Sequence, residues 1–437
     1  MMDRAQSTLI SLIKTIRHFF PPFWSWVKIV PDFRNPQRII YSPRSLTLIS
    51  LLLFILRLGS RRQIKFELSS EILIQNLKKV FPYQAEKIPH GDTLNYFLSG
   101  LDPEYLSAIR TLMIRRLLRA KCFTPYRLLD SYYLIAIDGT GHLSFSQKHC
   151  DQCLQKKLKN GETIYYHPVL EAKLILPFGM ALSLDTEFIE NTHPLASKQD
   201  SELKASYRLL ARLKSNFPQL KICLALDSLF ANQQIMEIAE KYHWKYIINF
   251  KAGSIPTVAQ EFEALLPLEP ENRLTFYQKD VQQDYKWVKQ IDHEGHLVNV
   301  LSCHEIKENQ QPKDFVWLTN LNVTSKNCFI IANQGGRKRW KIENEGFNTQ
   351  KTGGFNLEHA YSTNVFAVKN FYLLLQIAHI LIQLMEYGLL GKKKIKKLYG
   401  SAKNVAHRLL EDLKLALLDD LTLSFLNKKT RVYFDTS

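Results

Sequence analysis

An α/β protein is what this sequence predicts, with a mixed sheet interrupted by a β-rich insertion and preceded by a helical N-terminal part. Three features carry that expectation. Between Tyr132 and Phe250, short apolar runs alternate with amphipathic stretches in the order strand, strand, strand, helix, strand, helix, strand. Residues 255 to 330 break that rhythm with β-rich segments separated by polar turns. Residues 1 to 125 read as helical.

Taken in order, the N-terminal "MMDRAQSTLISLIKTIRHFF" reads as an amphipathic helix, because Lys14, Arg17 and His18 interrupt the apolar run that a secretory signal requires. "PDFRNPQ" is a loop. "IPHGDTLNYFLSGLDPEYLSAIRTLMIRRLLRA" reads as a helical hairpin, with Thr93 or Asp92 capping its first helix and Gly100 and Pro103 marking the break. "YYLIAIDGT" is a short apolar run ending in Asp138 and Gly139, expected as a buried strand with a carboxylate at its C-terminal end. "LEAKLIL" and "MALSLDTEFI" follow as strands around a Pro177-Phe178-Gly179 turn. Lys198, Gln199 and Asp200 open a helix, where Asp200 is expected as an ordinary N-terminal carboxylate. "KICLALDS" is a second buried strand ending in a carboxylate, Asp227. Helix "NQQIMEIAEKYHW" and strand "KYIINF" complete the alternation. "RLTFYQKD", "DYKWVKQI", "HLVNVLSCHEI" and "FVWLTNL" then read as strands of an inserted subdomain, and the helical pattern resumes at Arg337.

At 437 residues the chain has room for two or three cores. The expected divisions are a helical N-terminal DNA-binding domain over 1–125, a first core segment over 126–254, the β-rich insertion over 255–330, a second core segment over 331–390 and a basic C-terminal region over 391–437. Hydrophobic content of 46% excludes a disordered chain. A formal charge of +17 suits a polyanion such as DNA or RNA, with an anionic membrane surface as the competing partner. Six cysteines in so long a chain make no disulfide framework, so a cytoplasmic location is expected. The apolar run from Leu46 to Leu58 is too short to span a bilayer. The run from Asn364 to Leu390 carries Lys369, Asn370, Gln376, His379, Gln383 and Glu386. Both are expected as core helices, with no membrane partner.

The segment "RKRWKIENEGFNTQK" from Arg337 to Lys351 concentrates cations, aromatics and carboxylates. On a helix, Arg339, Glu343, Phe347 and Lys351 fall four apart and form one stripe. Glu345 competes with Glu343 for that face, but two residues turn about 200° around a helix, so the two cannot point the same way. Trp340 lies off the stripe and is expected in the core.

Asp138 after one strand, Asp227 after another and Glu343 on a helix beyond a β insertion form an order that resembles the DDE transposases of bacterial insertion sequences. The likeness is to the subgroup with a β-strand insertion between the second Asp and the Glu, and it covers the chain from about Tyr132 to Leu390. In that subgroup the Glu helix carries a Tyr-x2-Arg-x3-Glu-x6-Lys signature, of which Arg339 and Glu343 keep the spacing. Gly336 stands where the Tyr would be, and Gln350 where the Lys would be, with Lys351 one residue later.

The resemblance implies a ribonuclease-H-like mixed sheet with an inserted β subdomain and a helical N-terminal domain. It implies that Asp138, Asp227 and Glu343 are the catalytic, metal-holding residues for Mg²⁺ or Mn²⁺, and that Arg339 and Lys351 contact phosphate. The reaction implied is cleavage at the element's ends and strand transfer into target DNA by a homodimer. The chemistry agrees, because phosphodiester cleavage by two divalent ions about 4 Å apart needs hard oxygen ligands converging from separate elements. The alternatives are a nuclease of the same fold that cleaves without joining, a transposase descendant that only binds DNA, and a membrane-surface protein.

Cys150-x2-Cys153 has the spacing of a zinc knuckle, to which His149, His167 or His142 would add ligands; a lone pair of this kind equally fits a reduced loop. Lys156, Lys157 and Lys159 in the same loop, and the basic stretch "GKKKIKKLYGSAKNVAHRL" from Gly391, are candidate phosphate contacts.

Overall fold

Ten strands form one mixed sheet: β1 (Tyr133–Phe145), β2 (Leu154–Lys157), β3 (Thr163–Ile175), β4 (Ala181–Phe188), β5 (Ile222–Leu226), β6 (Lys245–Asn249), β7 (Arg273–Gln278), β8 (Val281–His293), β9 (His296–Lys307) and β10 (Lys313–Thr319). The computed structural model describes residues 7–191, 199–251, 253–389, 399–428 and 433–434. Across the sheet the order is β2-β3-β1-β5-β6-β10-β9-β8-β7, with β4 also paired to β3. β1, β3 and β4 run as an antiparallel meander, and β1, β5 and β6 are parallel. A parallel neighbour demands a crossover, and helices supply it between β4 and β5 and between β5 and β6.

The long helices are α1 (Thr8–Phe19), α2 (Pro43–Ile55), α3 (Arg61–Leu68), α4 (Glu71–Val80), α5 (Gly91–Gly100), α6 (Glu104–Arg119), α7 (Glu202–Asn216), α8 (Gln233–Lys241), α9 (Pro256–Leu265), α10 (Val365–Tyr387), α11 (Ala402–Lys414) and α12 (Asp420–Asn427). Their starts follow capping chemistry. Ser201 accepts from the Lys204 N–H, Asn232 from Ile235 and Asn364 from Ala367, each satisfying a donor that has no partner within the helix. The helical hairpin α5–α6 forms as expected, but its cap is His90, whose Nδ1 accepts from the Asp92 N–H at 3.2 Å. Neither Thr93 nor Asp92 fills that role, because the helix begins one residue earlier, at Gly91.

The central strands are apolar on both faces, as strands covered on both sides must be. Ile135, Ile137, Leu224 and Leu226 lie in a core shared with α1, α2, α5, α6, α7 and α10. Ala136, Ala225 and Ile247 lie in a second cluster with Trp317, Ile331, Ala332, Ile342 and Phe347. The N-terminal helices therefore share their core with the sheet through α10. That helix is long and apolar enough to cross a membrane, yet it is mostly buried against the protein. Its polar residues find partners there: Asn370 donates to the carbonyls of Leu98 and Leu101, and Gln383 brackets Ala181 by accepting from its N–H and donating to its carbonyl.

The four strands of residues 255 to 330 appear where alternation placed them, but they form no separate sheet. β10 pairs antiparallel with β6, and β9, β8 and β7 extend the same sheet outward. The unpaired edge of β6 is what draws the hairpins in, since a lone edge carries unsatisfied N–H and C=O groups. A buried charge network ties β3 and β4 to the helices. Arg110 of α6 donates to Asp185 at 2.9 Å, Arg212 of α7 reaches the other Asp185 oxygen at 2.9 Å, and Lys173 pairs with Glu171 at 3.1 Å. Residues 391–398 of the basic stretch lie outside the described residues; its second half opens α11, which buries Val405, Ala406, Leu409 and Leu413.

Candidate carboxylate site

The parallel register of β1 and β5 builds the site. Tyr133 faces Ile222 and Ala136 faces Ala225, so two residues further along both strands Asp138 and Asp227 come level. Side chains alternate along a strand, so both carboxylates project to the face of Ala136 and Ala225. β1 does not stop at Asp138. It runs on to Phe145, paired with β3, and Asp138 lies two residues beyond its last pairing with β5, at Ala136. Asp227 opens a short 3₁₀ turn, and its Oδ1 accepts from the Leu229 N–H at 2.9 Å.

Residues 328 to 352 cross this face as a helix of uneven pitch. Two π-helical stretches, Ile331–Gly335 and Ile342–Asn348, flank the tighter turn Gly336–Trp340. A four-residue stripe does not survive this change of pitch. Arg339 and Glu343 face the carboxylates, Phe347 is buried under Lys173, and Lys351 is ion-paired with Glu358 at 2.8 Å. Glu345 is held by Lys341 at 3.2 Å, which leaves Glu343 as the third carboxylate.

Arg339 is 8% exposed, and its Nη1 donates to Asp138 Oδ2 at 3.0 Å. Its Nε is buried without a hydrogen-bond partner among the described residues. Burial pushes the Asp138 carboxyl above the ordinary carboxylate range; Arg339 pulls it down, and the Asp227 and Glu343 carboxylates push it up. Trp340 is 52% exposed, with the Arg339 guanidinium 5.1 Å from its ring. The expectation that Trp340 packs in the core is corrected. The turn Gly336–Trp340 is tight enough to bring Arg339 inward and send the next side chain out.

A fourth carboxylate, which the sequence did not single out, completes the group. Glu202 begins α7, and burial, followed by the charges of Asp138 and Asp227, raises its carboxyl above the ordinary range. It approaches from the opposite side of β1 over Gly139, where a Cβ would collide with its carboxylate. Asp200, two residues earlier, is bound to Arg208 at 2.6 Å as an ordinary helix-start carboxylate. Glu202 was hidden because its proximity depends on where α7 docks, and no local pattern encodes that.

The two departures from the signature are packing positions. Gly336 lies against the Trp317 indole, leaving no room for a Cβ, so a Tyr has no place there. Gln350 is fully buried and donates to Gln376 at 2.8 Å, with His379 Nδ1 at 2.9 Å. Of the cysteine and histidine candidates, His149, Cys150, Cys153 and His167 come together, while His142 is directed to the Leu357 carbonyl at 3.0 Å. No protein-family model matches the chain, and no curated protein matches its sequence.

Proposed function

We propose that the carboxylate site carries out metal-dependent phosphoryl transfer on DNA, in a mixed sheet of the ribonuclease-H-like kind. Within that class we read the protein as a DDE transposase, which cuts at the ends of a mobile element and joins the freed 3′-ends to target DNA. One observation supports the reading above the rest. Asp138 and Asp227 are level on adjacent parallel strands, Arg339 bonds Asp138 from the helix that crosses them, and the Glu343 charge on the same helix acts on Asp138.

The donor set fits a hard cation. Asp138, Asp227 and Glu343 offer only carboxylate oxygens, Glu202 stands beside them, and their mutual repulsion is offset by one guanidinium. These residues would hold Mg²⁺ or Mn²⁺, which when bound supplies charge neutralisation for the attacking and leaving oxygens. Arg339 positions the Asp138 carboxylate, and its guanidinium would contact a phosphate beside the scissile one. Trp340 presents an exposed ring next to that guanidinium, suited to stacking on an unpaired base. The charge of +17 favours a polyanionic substrate. Joining and homodimer assembly rest on the resemblance in residue order, and a cytoplasmic setting on the cysteine usage.

The test is incubation of the protein with DNA fragments from both flanks of its gene, with Mg²⁺ or Mn²⁺. Cleavage followed by joining of the cut ends to a second duplex supports the transposase reading. Cleavage without joining assigns a nuclease, and tight binding without cleavage assigns a DNA-binding descendant.

A further inference from the structure

We propose that His149, Cys150, Cys153 and His167 form a structural zinc site, separate from the carboxylates. Their ligand atoms all lie within 4.8 Å of one another. Cys150 Sγ is 3.3 Å from Cys153 Sγ and 3.4 Å from His167 Nε2, while Cys153 Sγ is 3.3 Å from His149 Nδ1 and 3.2 Å from His167 Nε2. A tetrahedral ion with Zn–S near 2.3 Å and Zn–N near 2.0 Å spaces its ligand atoms roughly 3.3–3.8 Å apart. The four side chains therefore stand close to the corners of a zinc tetrahedron.

The thiols are free, and their separation is far beyond a disulfide bond of about 2.05 Å. Backbone N–H groups of Gln152 and Cys153 are directed at Cys150 Sγ, which fixes the turn that carries it. Cys153 and His167 are buried, and Asn191 Nδ2 fixes the loop by donating to the Cys153 carbonyl at 2.9 Å. Two sulfurs and two imidazoles select zinc over the hard cations that suit the carboxylates. Four protein ligands leave no open position, so the site is structural.

The location gives the ion a task. Residues 146 to 153 join β1 to β2 without regular structure, and half of them are exposed. His167 belongs to β3, so a shared ion clamps this loop to the sheet. It thereby sets the direction of the β2–β3 hairpin, whose Lys156, Lys157 and Lys159 are exposed.

The test is elemental analysis of the full-length protein, purified without a histidine tag from zinc-supplemented cells, together with cobalt(II) spectroscopy of the metal-free reduced protein. The expected result is one zinc per chain, intense tetrahedral cobalt bands with thiolate charge transfer, loss of stoichiometric zinc in Cys153→Ser, and full retention in Asp227→Asn. Should Cys153→Ser fail to fold, the cobalt spectrum of the unmutated protein decides alone. Zinc-free protein that gives only weak octahedral cobalt bands, or zinc lost in Asp227→Asn, would overturn the proposal. Neither outcome depends on whether the carboxylates cut DNA.

Discussion

Arg339 Nη1 holds Asp138 Oδ2 at 3.0 Å, joining a helix after the last strand of the sheet to the first strand of the core across 201 residues of sequence. Around that bond four carboxylates gather, two of them pushed above their ordinary ionisation range. A folded protein retains so unfavourable a cluster at a functional site, where stability is traded for binding.

That trade is measurable at Glu202. Its folded pKa lies above the unfolded value, so the unfolded chain gives up this proton first as pH rises, and the folded state loses relative stability from there until the folded pKa is passed. Glu202→Gln removes the penalty. We expect a gain of about 0.5–1 kcal/mol at pH 7 to 8 after discounting for solvent contact, vanishing at acid pH below the ordinary carboxylate range. Thermal melts of both proteins across pH check it; an equal gain at every pH would refute the electrostatic cause.

Restoring the signature residues is expected to harm this protein. Gly336→Tyr would drive a ring into the Trp317 indole, and Gln350→Lys would place a cation in the core beside His379. Overpacking costs about 1–3 kcal/mol, and an unpaired buried charge costs more. Urea denaturation should show both variants destabilised, with no gain in DNA cleavage.

Trp340 is exposed, so Trp340→Ala should leave the melting temperature nearly unchanged. The same change should weaken binding to DNA with unpaired bases by about 1–3 kcal/mol, the worth of one stacked base. Fluorescence anisotropy with single-stranded and duplex ends reads this directly; equal affinity for both variants would return Trp340 to a structural role.

Arg110 is fully buried, with Asp185 at 2.9 Å and the Ser183 hydroxyl at 3.2 Å. Arg110→Met leaves Asp185 with only the Arg212 side of its pairing, and breaking a buried pair from one side costs about 3–5 kcal/mol. Chemical denaturation should show a loss of that size. A change under 1 kcal/mol would mean that water or Arg212 replaces the lost charge.

Much of this architecture is written locally. β1 and β5 announced themselves as apolar runs reaching a carboxylate, although β1 runs on past Asp138 to Phe145, and Pro177-Phe178-Gly179 turns where expected, with Gly179 at φ +103°. The spacing of Arg339 and Glu343 put both at one site even though the helix carrying them is not regular. What stayed hidden depends on docking. No local pattern told β10 to pair with β6, brought Glu202 over Gly139, or tightened the turn that exposes Trp340. The four zinc candidates were visible as residue types, but only the pairing of β1 with β3 brings His167 beside the Cys150–Cys153 turn.

The most direct measurement is DNA cleavage by Asp227→Cys in Mg²⁺ and in Mn²⁺, beside the unmutated protein. A thiolate binds the softer Mn²⁺ better than the harder Mg²⁺. If Asp227 ligates the catalytic ion, the variant should be inactive with Mg²⁺ and recover cleavage with Mn²⁺. Undiminished cleavage with Mg²⁺, or none with either metal while the unmutated protein cuts, would contradict a ligand role for Asp227.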